Sequence, residues 1–216
     1  MPLIQLALDT PNLGDALGVL SKVKDEVDII EAGTVLCLSV GLESIAPLRE
    51  VSGYKPIVAD IRIGRAGRLF TDLALSFGAD LVTVLGESSE LTIADAIAAA
   101  HGKGKKIELE LPHGMAAEQV MHLIGLGADG IIVHHQSGSD FRTDAWVRST
   151  LDLLSKQDNS FSVSLAGGLK PENIVALDPN WNVDVLVVGS EVTKATDPKA
   201  ALGAIIDAMN ERASYK

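Results

Sequence analysis

Short apolar runs of strand length recur along the chain at residues 3–8, 27–30, 56–59, 80–85, 106–111, 130–133, 161–165 and 183–188. Both faces of each run are largely apolar, as in strands buried on two sides within a parallel sheet; a half-solvated antiparallel sheet would alternate. Between the runs, Leu13, Leu17 and Leu20, then Leu69, Leu73 and Phe77, then Leu91, Ile93, Ala94, Ile97 and Ala98 repeat at helical spacing. Polar residues or Pro open these stretches and Gly closes many of them, as at Phe77-Gly78, Gly102-Lys103-Gly104 and Gly125-Leu126-Gly127.

Strand and helix therefore alternate eight times over 216 residues. Right-handed crossovers between neighbouring parallel strands, repeated eight times, close into a (β/α)8 TIM barrel. A doubly wound sheet is the competitor. It usually needs fewer strands and a Gly-rich turn after the first one, where this chain has Asp9-Thr10-Pro11. No linker, low-complexity segment or charge block divides the chain, so one α/β barrel domain over residues 1–216 is expected, with 210–216 a polar helix end or tail.

Composition narrows the function classes. Eighteen Lys and Arg against 29 Asp and Glu give a net charge of −11, a field that repels nucleic acid and anionic lipid. The lone Cys37 offers no internal disulfide and no thiol-rich metal site, and its ordinary role is that of a small apolar residue. The N-terminus has no basic leader, and its apolar run stops at Asp9, too short for a signal peptide or a membrane span. A cytoplasmic protein is expected.

A barrel carries its chemistry where strands run out at the C-terminal face. Here the first strand ends at Asp9, the second at Glu31, the third at Asp60 followed by Arg62, the fifth at Glu110 and the sixth at His134. One acid after a strand is ordinarily a cap or turn residue; four at equivalent positions converge on one mouth. Carboxylates gathered in this way need a divalent metal, a basic partner, or both. Oxygen-only ligands favour Mg2+, with Glu31 and Asp60 as the pair to hold it and water and substrate oxygens in the remaining positions. The seventh and eighth strands end in Ala166-Gly167-Gly168-Leu169 and Gly189-Ser190, small residues that let backbone approach a ligand, and Lys170-Pro171-Glu172-Asn173 then opens a helix. This is the usual place of a barrel's phosphate pocket.

Five segments carry a family resemblance through nearly the whole chain: Gln5-Leu6-Ala7-Leu8-Asp9, Val27-Asp28-Ile29-Ile30-Glu31-Ala32-Gly33-Thr34, Gly78-Ala79-Asp80-Leu81-Val82-Thr83-Val84, Ala166-Gly167-Gly168 and Val188-Gly189-Ser190. The chain resembles the orotidine 5'-monophosphate decarboxylase suprafamily, and within it the branch of 3-hexulose-6-phosphate synthase and 3-keto-L-gulonate-6-phosphate decarboxylase. The resemblance implies a homodimer of barrels with shared active sites and a Mg2+ held by Glu31 and Asp60. It further implies a phosphorylated ketose as substrate and a 1,2-enediolate intermediate, with His134 moving the proton. Glu110 matches the decarboxylase, where the synthase carries Asp. His134-His135-Gln136-Ser137-Gly138, which lacks the decarboxylase's arginine after the histidine, Ala166 in place of its threonine and Ser190 in place of its phosphate-binding arginine point to the synthase.

The third strand departs from the family pattern Asp-x-Lys-x-x-Asp, reading Asp60-Ile61-Arg62-Ile63-Gly64-Arg65. Arg62 can stabilise an oxyanion through its fork of donors but does not deliver a proton as lysine does. Arg65 replaces an acid in a motif that, by the resemblance, reaches the partner's pocket. Three explanations stand: Arg62 and Arg65 clamp an extra anionic group of a different substrate, the usual activity has decayed, or Arg65 or Arg68 pairs with a surface acid. His113 is read as a loop residue near solvent, His101 and His122 as surface residues of helices, and Trp146 and Trp181 as packing residues.

The leading expectation is a Mg2+-dependent carbon-carbon lyase acting on a phosphorylated ketose and resembling the synthase. Asp9, Asp60, Arg62, Glu110 and His134 would form the catalytic set, with Arg65, Ala166, Gly167, Gly168, Gly189 and Ser190 on substrate and phosphate. A decarboxylase, an isomerase and a phosphosugar-binding protein without catalysis are the alternatives.

Overall fold

A computed structural model describes residues 1–135, 143–157 and 160–214. In chain order its elements are β1 (Leu3–Leu8), α1 (Leu13–Val23), β2 (Ile29–Ala32), α2 (Thr34–Ser39), α3 (Ile45–Ser52), β3 (Ile57–Ile63), α4 (Gly67–Ser76), β4 (Leu81–Leu85) and α5 (Glu90–His101), then β5 (Lys106–Leu111), α6 (Ala117–Gly125), β6 (Gly130–His134), α7 (Ala145–Leu154), β7 (Ser162–Ala166), α8 (Pro171–Val175), β8 (Val185–Val188), α9 (Ser190–Thr193) and α10 (Pro198–Ala213). The eight strands pair in sequence order, all parallel, and β8 returns to β1 to close the barrel. Among the described residues no helix is long and apolar enough to cross a membrane.

Apolar side chains divide between two cores. The larger lies between strands and helices, with Leu6, Leu8, Ile30, Ile57, Ile107, Leu109 and Leu165 facing outward from the strands onto helix residues such as Leu20, Leu48 and Ile93. The smaller lies inside the cylinder and gathers Ala7, Ile29, Val58, Ile132, Ala166, Val185 and Val187. The inward set also contains Gln5, Glu31, Asp60, Thr83, Glu108 and Ser164, all buried. Polar groups withdrawn from water need partners, and these residues bond to one another and to Thr34, although Gln5 Oε1 and Glu108 Oε2 have none among the described residues.

At the opposite, N-terminal face an aspartate immediately precedes each even-numbered strand. Asp28, Asp80, Asp129 and Asp184 accept from the backbone N–H groups of Ile4, Ile57, Ile107 and Val163, at 2.8, 3.0, 2.9 and 2.8 Å. Their own N–H groups donate back to the carbonyls of the same four residues. Each odd strand is thus clipped to the next even strand twice. Asp80 is further held by Lys105 and Arg49. Burial works against its charge, but the donors outweigh it and hold its carboxyl below the usual range.

The spacing of Leu69, Leu73 and Phe77 marks a helix but not its buried face. In α4 the buried residues are Gly67, Thr71 and Ala74, while Leu69 is 65% exposed. The reason is close packing on α5: a Cβ on Gly67 would collide with the Thr92 carbonyl oxygen, so only small residues fit this contact.

Candidate active site

Strand β3 sets the geometry of the mouth. Its pairing with β4 steps from Ala59 and Val82 to Ile63 and Val84, so the chain bulges between Ala59 and Ile63. Bulges of this kind re-aim side chains beside functional sites. Arg62 takes the left-handed conformation (φ 47°), unusual for a residue with a side chain. Its N–H donates to Thr83 Oγ1 at 3.0 Å, and the same hydroxyl donates to Asp60 Oδ1 at 2.8 Å. Thr34 Oγ1 donates to Asp60 Oδ2 at 2.5 Å. Two threonines therefore hold the Asp60 carboxylate from β4 and α2.

Arg62 reaches over the ring of acids. Its Nε lies 3.1 Å from Glu110 Oε2 and 3.5 Å from Asp60 Oδ2, yet neither carboxylate is aligned with that N–H as a hydrogen bond. On its other oxygen Glu110 meets His134 Nδ1 at 2.9 Å. Arg62, Glu110 and His134 thus form one polar chain across β3, β5 and β6.

Glu31 lies deeper, buried on β2, and accepts from Gln5 Nε2 at 2.6 Å. Burial, and next the charge of Asp60, push its carboxyl well above the usual range against the opposing hydrogen bond from Gln5. Asp9 closes this side of the mouth, accepting from the Val35 N–H at 3.1 Å.

A cavity of about 540 Å3 opens at this face, and Asp9, Glu31, Asp60, Arg62, Glu110 and His134 all line it. Ala166, Gly167, Gly168, Gly189 and Ser190 form its far wall. Gly167 is left-handed (φ 101°), and a Cβ there would collide with the His135 carbonyl oxygen and stand 2.8 Å from His134 Cδ2. A side chain at 167 would displace the histidine.

Arg65 does not join them. It sits exposed on the turn between β3 and α4, outside the lining of this cavity. Of the two arginines only Arg62 faces the acids, so a joint clamp on one substrate group does not form within one protomer. Among the described residues neither Arg65 nor Arg68 makes an ion pair, so pairing with a surface acid does not account for them. The expected helix start at Lys170 is present, but the Lys170 N–H is taken by Asn173 Oδ1 at 3.1 Å and does not line the cavity.

The remaining histidines have structural partners. Asp144, the N-cap of α7, holds His113 Nε2 at 3.0 Å and buried His135 Nδ1 at 3.1 Å, and the His113 ring packs on Trp146 at 4.7 Å. His101 and His122 pair with Asp129 and Glu90 at the surface. Gln136, which bears on the branch comparison, lies outside the described residues. Sequence reading misses Gln5, Thr34, Thr83 and Lys194, which also line the cavity. For Gln5 and Thr83 the available signal is register, since each is an inward position of an otherwise apolar strand.

Among the described residues no three His, Cys, Asp or Glu side chains stand ready to chelate one ion. A site built from two carboxylates is the remaining possibility. Glu31 and Asp60 suit it, because the charge of Asp60 adds to the cost of ionising Glu31 and a cation bound there would remove that cost. Mg2+ is commonly held by one or two carboxylates, with water and substrate completing the shell.

Comparison with known proteins agrees with this architecture. The family model described as "Orotidine 5'-phosphate decarboxylase / HUMPS family" matches residues 2–205. A curated relative from Staphylococcus saprophyticus, 3-hexulose-6-phosphate synthase 2, is 36% identical over 203 residues, covering 92% of each chain. The crystal structure of 3-hexulose-6-phosphate synthase from Salmonella typhimurium superposes with a TM-score of 0.86 at 30% identity, over 97% of this chain and 99% of that one. The crystal structure of KGPDC from Streptococcus mutans superposes at 0.83 with 29% identity, over 97% of this chain and 98% of that one.

Proposed function

The chain belongs to the orotidine 5'-phosphate decarboxylase / HUMPS family, and from that premise we propose that it is a lyase of the 3-hexulose-6-phosphate synthase type, joining formaldehyde to ribulose 5-phosphate through a 1,2-enediolate. The choice of synthase over decarboxylase rests on Ala166, Ser190 and the 36% identical relative, against Glu110; the observation that supports proton transfer to an enediolate is the Glu110 carboxylate itself. It touches both the histidine that lines the cavity and the arginine over the acid ring, at 2.9 and 3.1 Å.

Glu110 accepts from His134 Nδ1–H, which leaves Nε2 as the basic nitrogen. There His134 takes the proton from C1 of the ketose phosphate. The enediolate carbon then bonds to the formaldehyde carbon, and the alkoxide formed on the formaldehyde oxygen takes a proton back. Arg62 lends positive charge beside the developing oxyanion and keeps its own protons. Glu31 and Asp60 would hold Mg2+, which when bound supplies Lewis-acid stabilisation to the enediolate oxygens. Asp9 orders the β2–α2 turn, and Gly167, Gly168, Gly189 and Ser190 leave room for the phosphate.

We place the protein in the cytoplasm and infer that it pairs as a homodimer. Val35 and Leu38 of α2, Leu69, Phe70 and Leu73 of α4 and Leu91 of α5 are exposed. These helices follow the neighbouring strands β2, β3 and β4, and Val35 also lines the cavity. A second copy seated on this face meets the mouth itself, and Arg65 lies in the same stretch of chain.

The test is formaldehyde consumption with ribulose 5-phosphate, with and without Mg2+, for the natural chain and for Glu31→Gln and Asp60→Asn. Turnover that needs Mg2+ and is lost in both variants is expected. Undiminished activity in either variant rejects the metal assignment. Solvent deuterium entering C1 with no new carbon-carbon bond would identify an isomerase instead, and CO2 release from 3-keto-L-gulonate 6-phosphate a decarboxylase.

A further inference from the structure

The geometry points to Lys194 as the residue that holds the anionic end of the substrate and makes the cavity selective for a phosphorylated sugar; this rests on the sugar-phosphate reading above. The charges along the wall are unbalanced. Asp9, Glu31, Asp60 and Glu110 face Arg62, His134 and Lys194. Arg62 stands against Glu110 and Asp60, and His134 against Glu110, so both sit on the acidic side of the mouth. A phosphate dianion has to settle away from that side, and the far wall of Gly167, Gly168, Gly189 and Ser190 is uncharged.

Lys194 supplies the charge this wall lacks. It caps α9, and its N–H donates to the Ser190 carbonyl at 3.1 Å, which places its Cα one helical turn beyond Ser190. Residues four apart on a helix share a face, and Ser190 and Lys194 both line the cavity. Among the described residues its ammonium has no carboxylate within ion-pair distance, which it shares with Lys22, Lys24, Lys106 and Lys170; what sets Lys194 apart is that, of these, it alone lines the cavity. The side chain also borders a second cavity of about 460 Å3 between α1 and α9. It therefore stands on the ridge between two open spaces, where it can fold toward an incoming anion without breaking an existing bond. An unpaired lysine at a pocket rim costs little to hold ready, and it gains most from a doubly charged ligand.

The experiment measures inorganic phosphate binding by calorimetry on the full chain, with ribulose 5-phosphate kinetics alongside, for the natural protein, Lys194→Met, Lys194→Arg and Lys22→Met. Methionine keeps the stem and removes the charge. Lys194→Met is expected to weaken phosphate binding about tenfold or more and to raise KM by a similar factor with kcat little changed, while Lys194→Arg stays within about threefold. Lys22→Met, which alters the second cavity alone, is expected to bind as the natural protein does. Equal phosphate binding by Lys194→Met, or no phosphate binding by the natural chain, overturns the assignment. Phosphate binding that depends on Lys194 in a protein without turnover sinks the lyase reading and leaves Lys194 in place.

Discussion

Glu110 Oε1 lies 2.9 Å from His134 Nδ1, and this contact decides which nitrogen of the ring works. With Nδ1–H given to the carboxylate, Nε2 carries the lone pair. His134→Asn is expected to lower kcat by about 10²- to 10⁴-fold, the usual worth of a general base. Glu110→Gln keeps the shape but can present an amide N–H to Nδ1 and favour the other tautomer. A smaller loss of kcat than in His134→Asn is expected, and kcat unchanged in Glu110→Gln shows that the carboxylate does not orient the ring.

Thr83 is expected to matter more than its neutral side chain suggests. Its hydroxyl accepts from the Arg62 N–H and donates to Asp60 Oδ1. Thr83→Val strands both partners, at a cost of about 1–3 kcal/mol for a buried group left unsatisfied, and it releases the left-handed Arg62. Urea denaturation measures the first effect and kcat the second. Thr83→Ser should restore both, and a valine variant as stable and active as the natural chain removes Thr83 from the account.

Stability should fall across mildly acid to neutral pH because of Glu108. Burial, opposed by a hydrogen bond from Ser164 and helped by the charge of Asp60, pushes its carboxyl from an ordinary 4.5 up to about 7. Between these values the folded chain keeps a proton that the unfolded chain has released. Raising the pH through that window therefore destabilises the fold, by about 3 kcal/mol in all, and the loss levels off above about 7. Glu108→Gln retains an acceptor for Ser164 and should flatten this slope and raise the urea midpoint at about pH 8, one unit beyond the end of that window. A slope unchanged by the substitution assigns it to other groups.

The exposed face of α4 gives a direct test of assembly. Leu69→Glu with Leu73→Glu leaves the buried side of that helix untouched and should convert a dimer to a monomer in light scattering, with circular dichroism unchanged. A natural chain already monomeric at high concentration rules the dimer out.

Strand existence and order are legible in the sequence because each strand is apolar on both faces, and the acids at strand ends stand out against that background. Boundaries are less so: the second strand, expected at 27–30, runs over Ile29–Ala32, because Asp28 belongs to the clip below the sheet rather than to the strand. The outward face of α4 is hidden from the pattern because a helix packed through Gly67, Thr71 and Ala74 leaves its leucines outside, and spacing alone does not say which side is covered. Within the site, charge reveals Glu31, Asp60, Arg62 and Glu110. Gln5 and Thr83 are single polar positions in otherwise apolar runs, and only the register of the closed barrel shows that they point inward. Lys194 escapes because a four-residue helix beyond the last strand has no period to read.

The four aspartate clips also say where the cylinder can be cut. The reciprocal pair in each clip joins an odd strand to its immediate successor, while the carbonyls of Asp80, Asp129 and Asp184 accept single bonds from Lys106, Ser162 and Leu3 of the next odd strand, so four doubly clipped two-stranded staves are linked by weaker seams. A chain opened in the turn around Gly102 and Gly104, between α5 and β5, severs none of these reciprocal bonds. Two halves produced separately would each carry a pair of finished staves, and the catalytic mouth would be completed only when they meet. His134 and Glu110 belong to one half, and Asp60 and Glu31 to the other.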